Sequence, residues 1–416
     1  MKKRWLRVVF PIALAICSPI GLAACSDSGV MGFLVATATS PRRLMVNSGS
    51  EPIVSETQVP SRSPDEEPAL TEQPVPADTA ARTSTPAPTP SATPEPTATP
   101  TLIPTPTDTP LPRPIATLNA AGQVGLGVYV QGVPYESFAS VDGFERLVGH
   151  KMEYVLWFQS WGDSDRVFQT QYVALANRMG LVPVITWEPW KRNFADPTAI
   201  QPAYSLESIV AGSHDAYIVG WAQAARDTGV PIILRFAHEQ STEPGIISWY
   251  PWQGDPQGYR EAFRHVVAVF RQVGADNVRF LWSAMWLNSW AEEYFPGDDV
   301  VDYVGTTILN HGTGAVSEWA RWRSFAELFD PQYQAALQWG KPVIITELAT
   351  AEQDGDKAAW LTDCLNSLEF KYTTVRAAIL LEDEADREWP LINWSIGSSP
   401  ESLAAFRLAI SSPYYR

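Results

Sequence analysis

The chain has 416 residues, a formal net charge of −16 at pH 7 and 17 tryptophans. The acidic balance argues against a nucleic-acid ligand, because nucleic-acid binding requires clustered Lys and Arg, and basic runs are absent beyond the first residues. A neutral or sparsely charged ligand fits better. Tryptophan rings suit the apolar faces of sugars, although the alternative is that many of them fill a core.

The N-terminus predicts an export leader over residues 1–24. Basic residues precede an apolar stretch from Val8 to about Ile20, which is too short to cross a membrane comfortably. The stretch runs into the sequence LAAC at 22–25, which resembles the bacterial lipoprotein box. This resemblance implies cleavage before Cys25 and acylation of that cysteine, which would anchor the exported chain to the cell membrane. The alternative is an ordinary secretory signal followed by an incidental cysteine.

Residues 25–120 are predicted to form a disordered linker. Pro, Thr, Ser, Ala and Glu dominate between Pro41 and Pro114, a stretch that holds 18 of the chain's 35 prolines. Such a composition cannot bury a core and favours an extended, semi-rigid spacer. We therefore expect the next domain to lie outside the membrane, in the periplasm or outside the cell.

Residues 121–416 have a globular composition and the size of a single (β/α)8 TIM barrel. Eight near-continuous apolar runs predict strands that are buried on both faces of a parallel sheet. These runs are 124–130, 154–161, 181–187, 232–237, 278–284, 303–309, 342–347 and 376–381.

Amphipathic stretches between the runs predict helices, and several of them end at a glycine that precedes the next apolar run. Examples of the helical stretches are 169–179, 217–228, 259–273, 324–339 and 356–368. The repeated alternation favours a barrel over an open doubly wound sheet, and no glycine-rich phosphate loop follows the first strand.

Two carboxylates interrupt the ends of predicted apolar strands. Glu239 follows the fourth run, and Glu347 ends the seventh. Reactive groups of β/α barrels lie at the C-terminal ends of strands. Carboxylates after strands four and seven can lie about 5 Å apart, the separation that suits double displacement. One would protonate the leaving group, and the other, held ionised by a cation such as Arg235, would attack the anomeric carbon. The alternative for either glutamate is an ion-paired or capping residue.

Several motifs resemble glycoside hydrolase family 26, the β-mannanase-like branch of a clan with catalytic glutamates on strands four and seven. The resemblance covers most of 121–416. The strongest motif is RFAHE at 235–239 followed by WYPW at 249–252. The supporting motifs are YFPGDD at 294–299, VDYVG at 301–305, ITE at 345–347, NWSI at 393–396 and SPESLAAF at 399–406.

The resemblance implies that Glu239 is the acid/base and Glu347 the nucleophile. It further implies that Arg235 positions the nucleophile and that His238 contacts the sugar at the cleavage site.

Four tryptophans are predicted to contact the glycan. Trp249 and Trp252 would line the cleft by resemblance, with core packing as the alternative for each. Trp187 closes the third strand in the sequence WEPW and is predicted to contribute to a negative subsite, with a structural loop as the alternative. Trp389, after the eighth strand, is a candidate sugar platform.

Two departures from the family pattern put mannan specificity in doubt. The usual Asn-Gly after His-Glu is Gln240-Ser241 here, and the position of a tyrosine that bonds the nucleophile holds Leu309. Asn310 or His311 is expected to substitute for that tyrosine.

The predicted function is retaining hydrolysis of a β-linked polysaccharide, which is a β-mannan or a related β-glucan, xylan or microbial exopolysaccharide. The alternatives are a non-catalytic carbohydrate-binding lipoprotein on the same barrel and a surface spacer protein. We expect a monomer with no cofactor. We also expect no metal, because the acidic loop 382–384 has no histidine at metal-ligand spacing.

Overall fold

The computed structural model describes residues 122–193, 201–241, 249–315, 317 and 319–416. The leader, Cys25 and the linker lie outside these residues, so the interpretations of 1–24 and 25–120 stay predictions. In the part of the chain that the structure describes, no helix combines the length and the apolarity needed to cross a membrane.

Eight parallel strands close into a barrel in chain order, and the last strand pairs with the first. The predicted (β/α)8 fold is confirmed. The strands are β1 (Gly125–Val130), β2 (Tyr154–Ser160), β3 (Val182–Glu188), β4 (Ile232–Phe236), β5 (Val278–Ala284), β6 (Tyr303–Asn310), β7 (Val343–Thr350) and β8 (Val375–Glu382).

Helices follow the strands and surround the barrel. They are α1 (Ala139–Val148), α2 (Thr170–Arg178), α3 (Leu206–Val210), α4 (Asp215–Thr228), α5 (Pro256–Val273), α6 (Ser289–Glu292), α7 (Phe325–Leu337), α8 (Lys357–Phe370) and α9 (Pro400–Ala409).

Strand residues alternate between the inside of the barrel and the helix layer, as the period of two requires. The inside is filled by aliphatic and aromatic side chains, which form a cluster of their own. Outward-facing residues pack against the helices in a second, larger cluster. Because both strand faces are buried, the strands carry the near-continuous apolar runs seen in the sequence.

The pairing of β6 and β7 is irregular at the level of the site. The register shifts between Thr306 and Thr307, which places Thr307 opposite Glu347. A second shift between β7 and β8 falls between Ile345 and Leu348. The strand then continues to Thr350, three residues beyond the end predicted from the sequence. Glu347 therefore lies within a strand and not in the loop that follows it.

Candidate active site

A buried guanidinium links the two predicted catalytic carboxylates. Arg235 on β4 has no exposed surface, and its Nη1 donates to Glu347 Oε1 at 2.7 Å. Its Nε donates to Ser283 Oγ at 3.0 Å, and its Nη2 donates to Thr307 Oγ1 at 3.4 Å. The same Nη2 stands 4.0 Å from Glu239 Oε1. The same buried guanidinium is therefore hydrogen-bonded to Glu347 and close to Glu239.

The backbone around Glu239 is held in an unfavourable conformation. Ala237 and Glu239 have positive φ angles of 46° and 54°, which L side chains seldom adopt. The N–H of Glu239 donates to the Ser283 carbonyl at 2.8 Å, and its carbonyl accepts from Gln253 Nε2 at 2.6 Å. Thr307 Oγ1 donates to Glu239 Oε1 at 2.8 Å. These contacts from three other segments fix where the carboxyl group points.

The surroundings favour the protonated form of Glu239. Burial, and then the charge of Glu347, raises the pKa of Glu239 to about 7, against the opposing effects of Arg235 and Thr307. Glu347, by contrast, receives the direct hydrogen bond of Arg235. The site therefore holds a carboxyl that can donate a proton near neutral pH beside a carboxylate paired with a cation.

His238, the residue before Glu239, packs against the aromatic rings of Tyr250 and Phe158. Its ring is 1% exposed, and its centroid is 4.9 Å from Tyr250 and 5.6 Å from Phe158. Burial lowers its pKa well below the usual value, so the imidazole is neutral. Among the described residues its Nδ1 has no hydrogen-bond partner. That nitrogen is itself buried, and the sugar contact of His238 stays a prediction.

The segment from 197 to 368, which contains both carboxylates, matches the family model of glycosyl hydrolase family 26.

Three similar proteins illustrate the match. The chain is 35% identical over 300 residues to Endoglucanase H of Acetivibrio thermocellus, which covers 69% of this chain and 30% of that protein. It is 26% identical over 176 residues to a beta-1,3-xylanase of an Alcaligenes species, covering 37% of this chain and 35% of that protein. The chain thus spans about a third of the length of these curated relatives.

An endo-beta-1,4-mannanase double mutant of Cellulomonas fimi is similar in structure, with a TM-score of 0.51 and 17% identity. That similarity covers 71% of this chain and 72% of the mannanase chain, and it supports the barrel fold.

Trp187 does not line the candidate cleft, contrary to the prediction from the sequence. It has no exposed surface, donates from Nε1 to Tyr217 Oη at 3.1 Å and packs at 4.7 Å from the ring of Trp221 on α4. Its side chain faces the helix layer because β3 residues alternate. Glu188, the next residue, faces the other way and accepts from Arg192 Nε at 3.0 Å.

Trp252 supports the cleft from behind and does not line it. It is 1% exposed, and its Nε1 donates to the His238 carbonyl at 2.7 Å. Its ring stacks on Tyr250 with the centroids 4.6 Å apart. Tyr250 is half-buried beside His238, so the ring between Trp252 and the site is a tyrosine that the sequence analysis did not single out. Trp249 is 45% exposed and stays a candidate cleft residue.

Asn310 does not replace the missing tyrosine of family 26. Its Nδ2 donates to Thr350 Oγ1 at 3.0 Å, and its Oδ1 accepts from the N–H of Arg323 at 3.2 Å. The residue is 1% exposed and cross-links β6 to β7, so it is not free to contact substrate. His311 instead packs edge-on against Trp394 at 5.0 Å. The β6 residue opposite Glu347 is Thr307.

Trp389 lies in the loop after β8, half-buried against the cluster that contains Trp394. Its N–H donates to Asp386 Oδ1 at 2.8 Å, which fixes this part of the loop. Its role as a sugar platform stays a prediction. In the described ranges, no group of three or more His, Cys, Asp or Glu side chains could hold a metal ion.

The Gln240 departure from the family pattern is absorbed inside the protein. The amide is fully buried, and in the orientation that satisfies both of its neighbours it accepts from Trp282 Nε1 at 2.9 Å and donates to the Ser283 carbonyl at 2.7 Å. It therefore joins the end of β4 to β5. Ser283, Thr307 and Gln253 were missed from the sequence. Polar residues inside otherwise apolar strands were the available signal for the first two.

Proposed function

We propose that the barrel hydrolyses a neutral β-linked polysaccharide with retention of anomeric configuration. The observation that best supports this proposal is the buried guanidinium of Arg235 between the two carboxyl groups. It donates directly to Glu347 at 2.7 Å but stands 4.0 Å from Glu239, whose pKa is raised to about 7 by burial and by the charge of Glu347. Glu347 is the nucleophile and Glu239 the acid/base. Arg235 is the positioning residue for both.

Hydrolysis would proceed in two steps. Glu347 attacks the anomeric carbon while the proton of Glu239 passes to the glycosidic oxygen, so the glycosyl–oxygen bond breaks as the glycosyl–enzyme ester forms. Glu239, now ionised, takes a proton from a water molecule that attacks the same carbon and releases Glu347. Two inversions leave the original configuration. His238 would donate or accept a hydrogen bond at a hydroxyl of the bound sugar.

The substrate class is a β-glycan, and we rank β-glucan ahead of β-mannan. The relative named as an endoglucanase is 35% identical, whereas the Cellulomonas mannanase is 17% identical. Leu309 and the internal role of Asn310 also remove the polar group that the family pattern would supply beside the nucleophile. Xylan and microbial exopolysaccharides complete the candidate substrates.

The decisive experiment measures reducing ends released from β-glucans, β-mannans, xylans and bacterial exopolysaccharides. We expect release by the parent protein and by Glu401→Ala, a control on the exposed face of α9, but not by Glu347→Ala. The anomer first formed, read by NMR, should be the β form. Clear glycan binding without release from any polymer would instead support the carbohydrate-binding alternative.

Azide assigns the two roles. In Glu347→Ala it can enter the vacated face and displace an activated leaving group directly, which gives the α-glycosyl azide. In Glu239→Ala it attacks the glycosyl–enzyme and gives the β-glycosyl azide. The same product from both variants would contradict the assignment.

We also propose that Cys25 carries lipid that anchors the exported chain to the cell membrane. Radiolabelled palmitate should enter the full-length protein in cells but not Cys25→Ser. Equal labelling of the two proteins would reject the anchor.

A further inference from the structure

The exposed aromatic side chains of the described residues gather at one end of the barrel. Five of the six follow the C-terminal ends of strands, four in loops and one in the short helix α6, on the side where Glu239 is found. The sixth, Phe370, ends α8 and precedes β8, on the opposite side. The five are Tyr135, Trp249, Trp286, Trp290 and Trp319.

Trp286 is the most exposed tryptophan among the described residues, at 53%, yet its loop is fixed on both sides. Thr306 Oγ1 donates to the carbonyl of Met285 at 3.3 Å. The N–H of Leu287 donates to Gln332 Oε1 at 3.0 Å, and the Leu287 side chain is 2% exposed. The loop therefore holds an indole out into solvent from a rigid base, and no other described ring stacks on it.

The strand that leads into this loop contacts the backbone of Glu239. The carbonyl of Ser283 accepts from the N–H of Glu239 at 2.8 Å, and its Oγ accepts from Arg235 Nε at 3.0 Å. Ser283 precedes Trp286 by three residues. Three residues span at most about 11 Å, so Trp286 lies within reach of a short oligosaccharide bound at Glu239. Glu239 protonates the leaving oxygen in the proposed reaction, and its side of the cleft is therefore the leaving-group side.

The chemistry of the loop selects against charged sugars. Glu292 and Glu293 follow Trp286 by six and seven residues, are exposed, and give this segment a negative charge that would repel acidic glycans. An exposed, pre-organised indole offers an apolar face without charge, which matches the C–H face of a neutral sugar ring.

We propose that Trp286 is a stacking platform for neutral sugars on the leaving-group side of the cleft. This inference rests on the proposed function and adds to it a specificity residue for long chains. Removing the indole should lower kcat/KM for substrates that place sugars on that side. It should leave kcat/KM nearly unchanged for substrates that place none there.

The test compares Trp286→Ala, Trp286→Phe and the control Phe370→Ala on two substrates. One is a polysaccharide, and the other is an oligosaccharide β-glycoside whose leaving group is 4-nitrophenol. For Trp286→Ala we expect kcat/KM on the polysaccharide to fall about tenfold or more, with little change on the aryl glycoside. Trp286→Phe should recover most of the loss, and Phe370→Ala should match the parent on both substrates.

A parallel drop on both substrates, or no drop on either, would overturn the platform. Affinity electrophoresis through gels containing the polysaccharide keeps the test independent of turnover. The parent and Phe370→Ala should be retarded and Trp286→Ala should run ahead of them, even in a protein that hydrolyses nothing. Equal retardation of all three would overturn the proposal, whereas an absence of hydrolysis would count against the proposed function alone.

Discussion

Arg235 and Glu347 form an ion pair at 2.7 Å in which the guanidinium has no exposed surface. A buried cation of this kind must be fully compensated, since removing one partner leaves an unpaired charge away from water. The pair is formed between β4 and β7, three strands apart in the closed barrel, so it couples the position of the nucleophile to closure of the barrel itself.

Arg235→Lys keeps the positive charge but cannot reproduce the separate hydrogen bonds to Ser283, Thr307 and Glu347. We expect kcat to fall by about 10- to 100-fold, the equivalent of one or two charge-assisted hydrogen bonds, with a smaller change in KM. Steady-state kinetics and thermal unfolding check this. Arg226→Lys, at an exposed pair with Asp227, is the control. Parent-like kcat in Arg235→Lys would contradict the positioning role.

The raised pKa of Glu239, about 7, predicts the alkaline limit of activity. An acid must be protonated to act, so kcat/KM should fall as the pH rises through about 7. Glu239→Ala, assayed on a nitrophenyl glycoside that needs no protonation of its leaving group, should lose this limb. A pH–rate profile of both proteins gives the answer, and an unchanged limb in Glu239→Ala would assign it to another group.

Thr307→Val removes the hydroxyl that donates to Glu239 Oε1 while nearly preserving shape. That hydrogen bond lowers the pKa of Glu239 by favouring the ionised form, so its loss should raise the pKa. The alkaline limb should therefore move to higher pH. Thr362→Val on the exposed face of α8 should leave the limb in place. A shift to lower pH would reverse the assigned direction of the hydrogen bond.

Gln253 holds the backbone of Glu239 and of Trp249 at once. Gln253→Leu loses both contacts and should lower kcat together with the melting temperature, because buried carbonyl and N–H groups lose their partners. Gln253→Glu keeps an acceptor for the N–H of Trp249 but cannot donate to Glu239. If the Glu239 contact matters for catalysis, both variants should be slow. Activity that survives in Gln253→Glu would place the effect in the Trp249 contact.

Trp187→Ala should be a stability variant. Removing a fully buried indole costs about 3–5 kcal/mol of unfolding free energy, whereas kcat/KM of the protein that remains folded should change little. Urea unfolding and kinetics at low temperature separate these effects. Trp249→Ala, at an exposed position, should show the opposite pattern. If Trp187→Ala bound glycan more weakly but kept the stability of the parent, Trp187 would be a cleft residue and this prediction would be wrong.

The barrel was accessible from the sequence because strands buried on both faces produce continuous apolar runs. All eight runs became strands, and β5 has the predicted bounds. The direction in which individual side chains point, into the barrel or toward the helices, was harder to predict for the same reason. At the end of β3 the neighbours Trp187 and Glu188 are both buried, and only the closed barrel decides which of them points inward.

Contacts across the barrel were the least predictable part of the site. Thr307 meets Glu239 across 68 positions of sequence, and its place opposite Glu347 depends on a register shift that leaves no local pattern. Asn310 was singled out as a substitute for the tyrosine that the family resemblance implies beside the nucleophile. Its amide proved to be satisfied by Thr350 and Arg323, two partners that the sequence could not identify.

The left-handed backbone conformation at Ala237 and Glu239 lowers the stability of the fold at the position of the proposed acid/base. Glycine adopts such angles freely, whereas a residue with a Cβ pays about 1 kcal/mol or more at each position. A barrel that merely held sugars would be more stable with glycine at both positions. The fold keeps a carboxyl group at this position at the expense of stability, and the proton transfer proposed for Glu239 gives that expense a function.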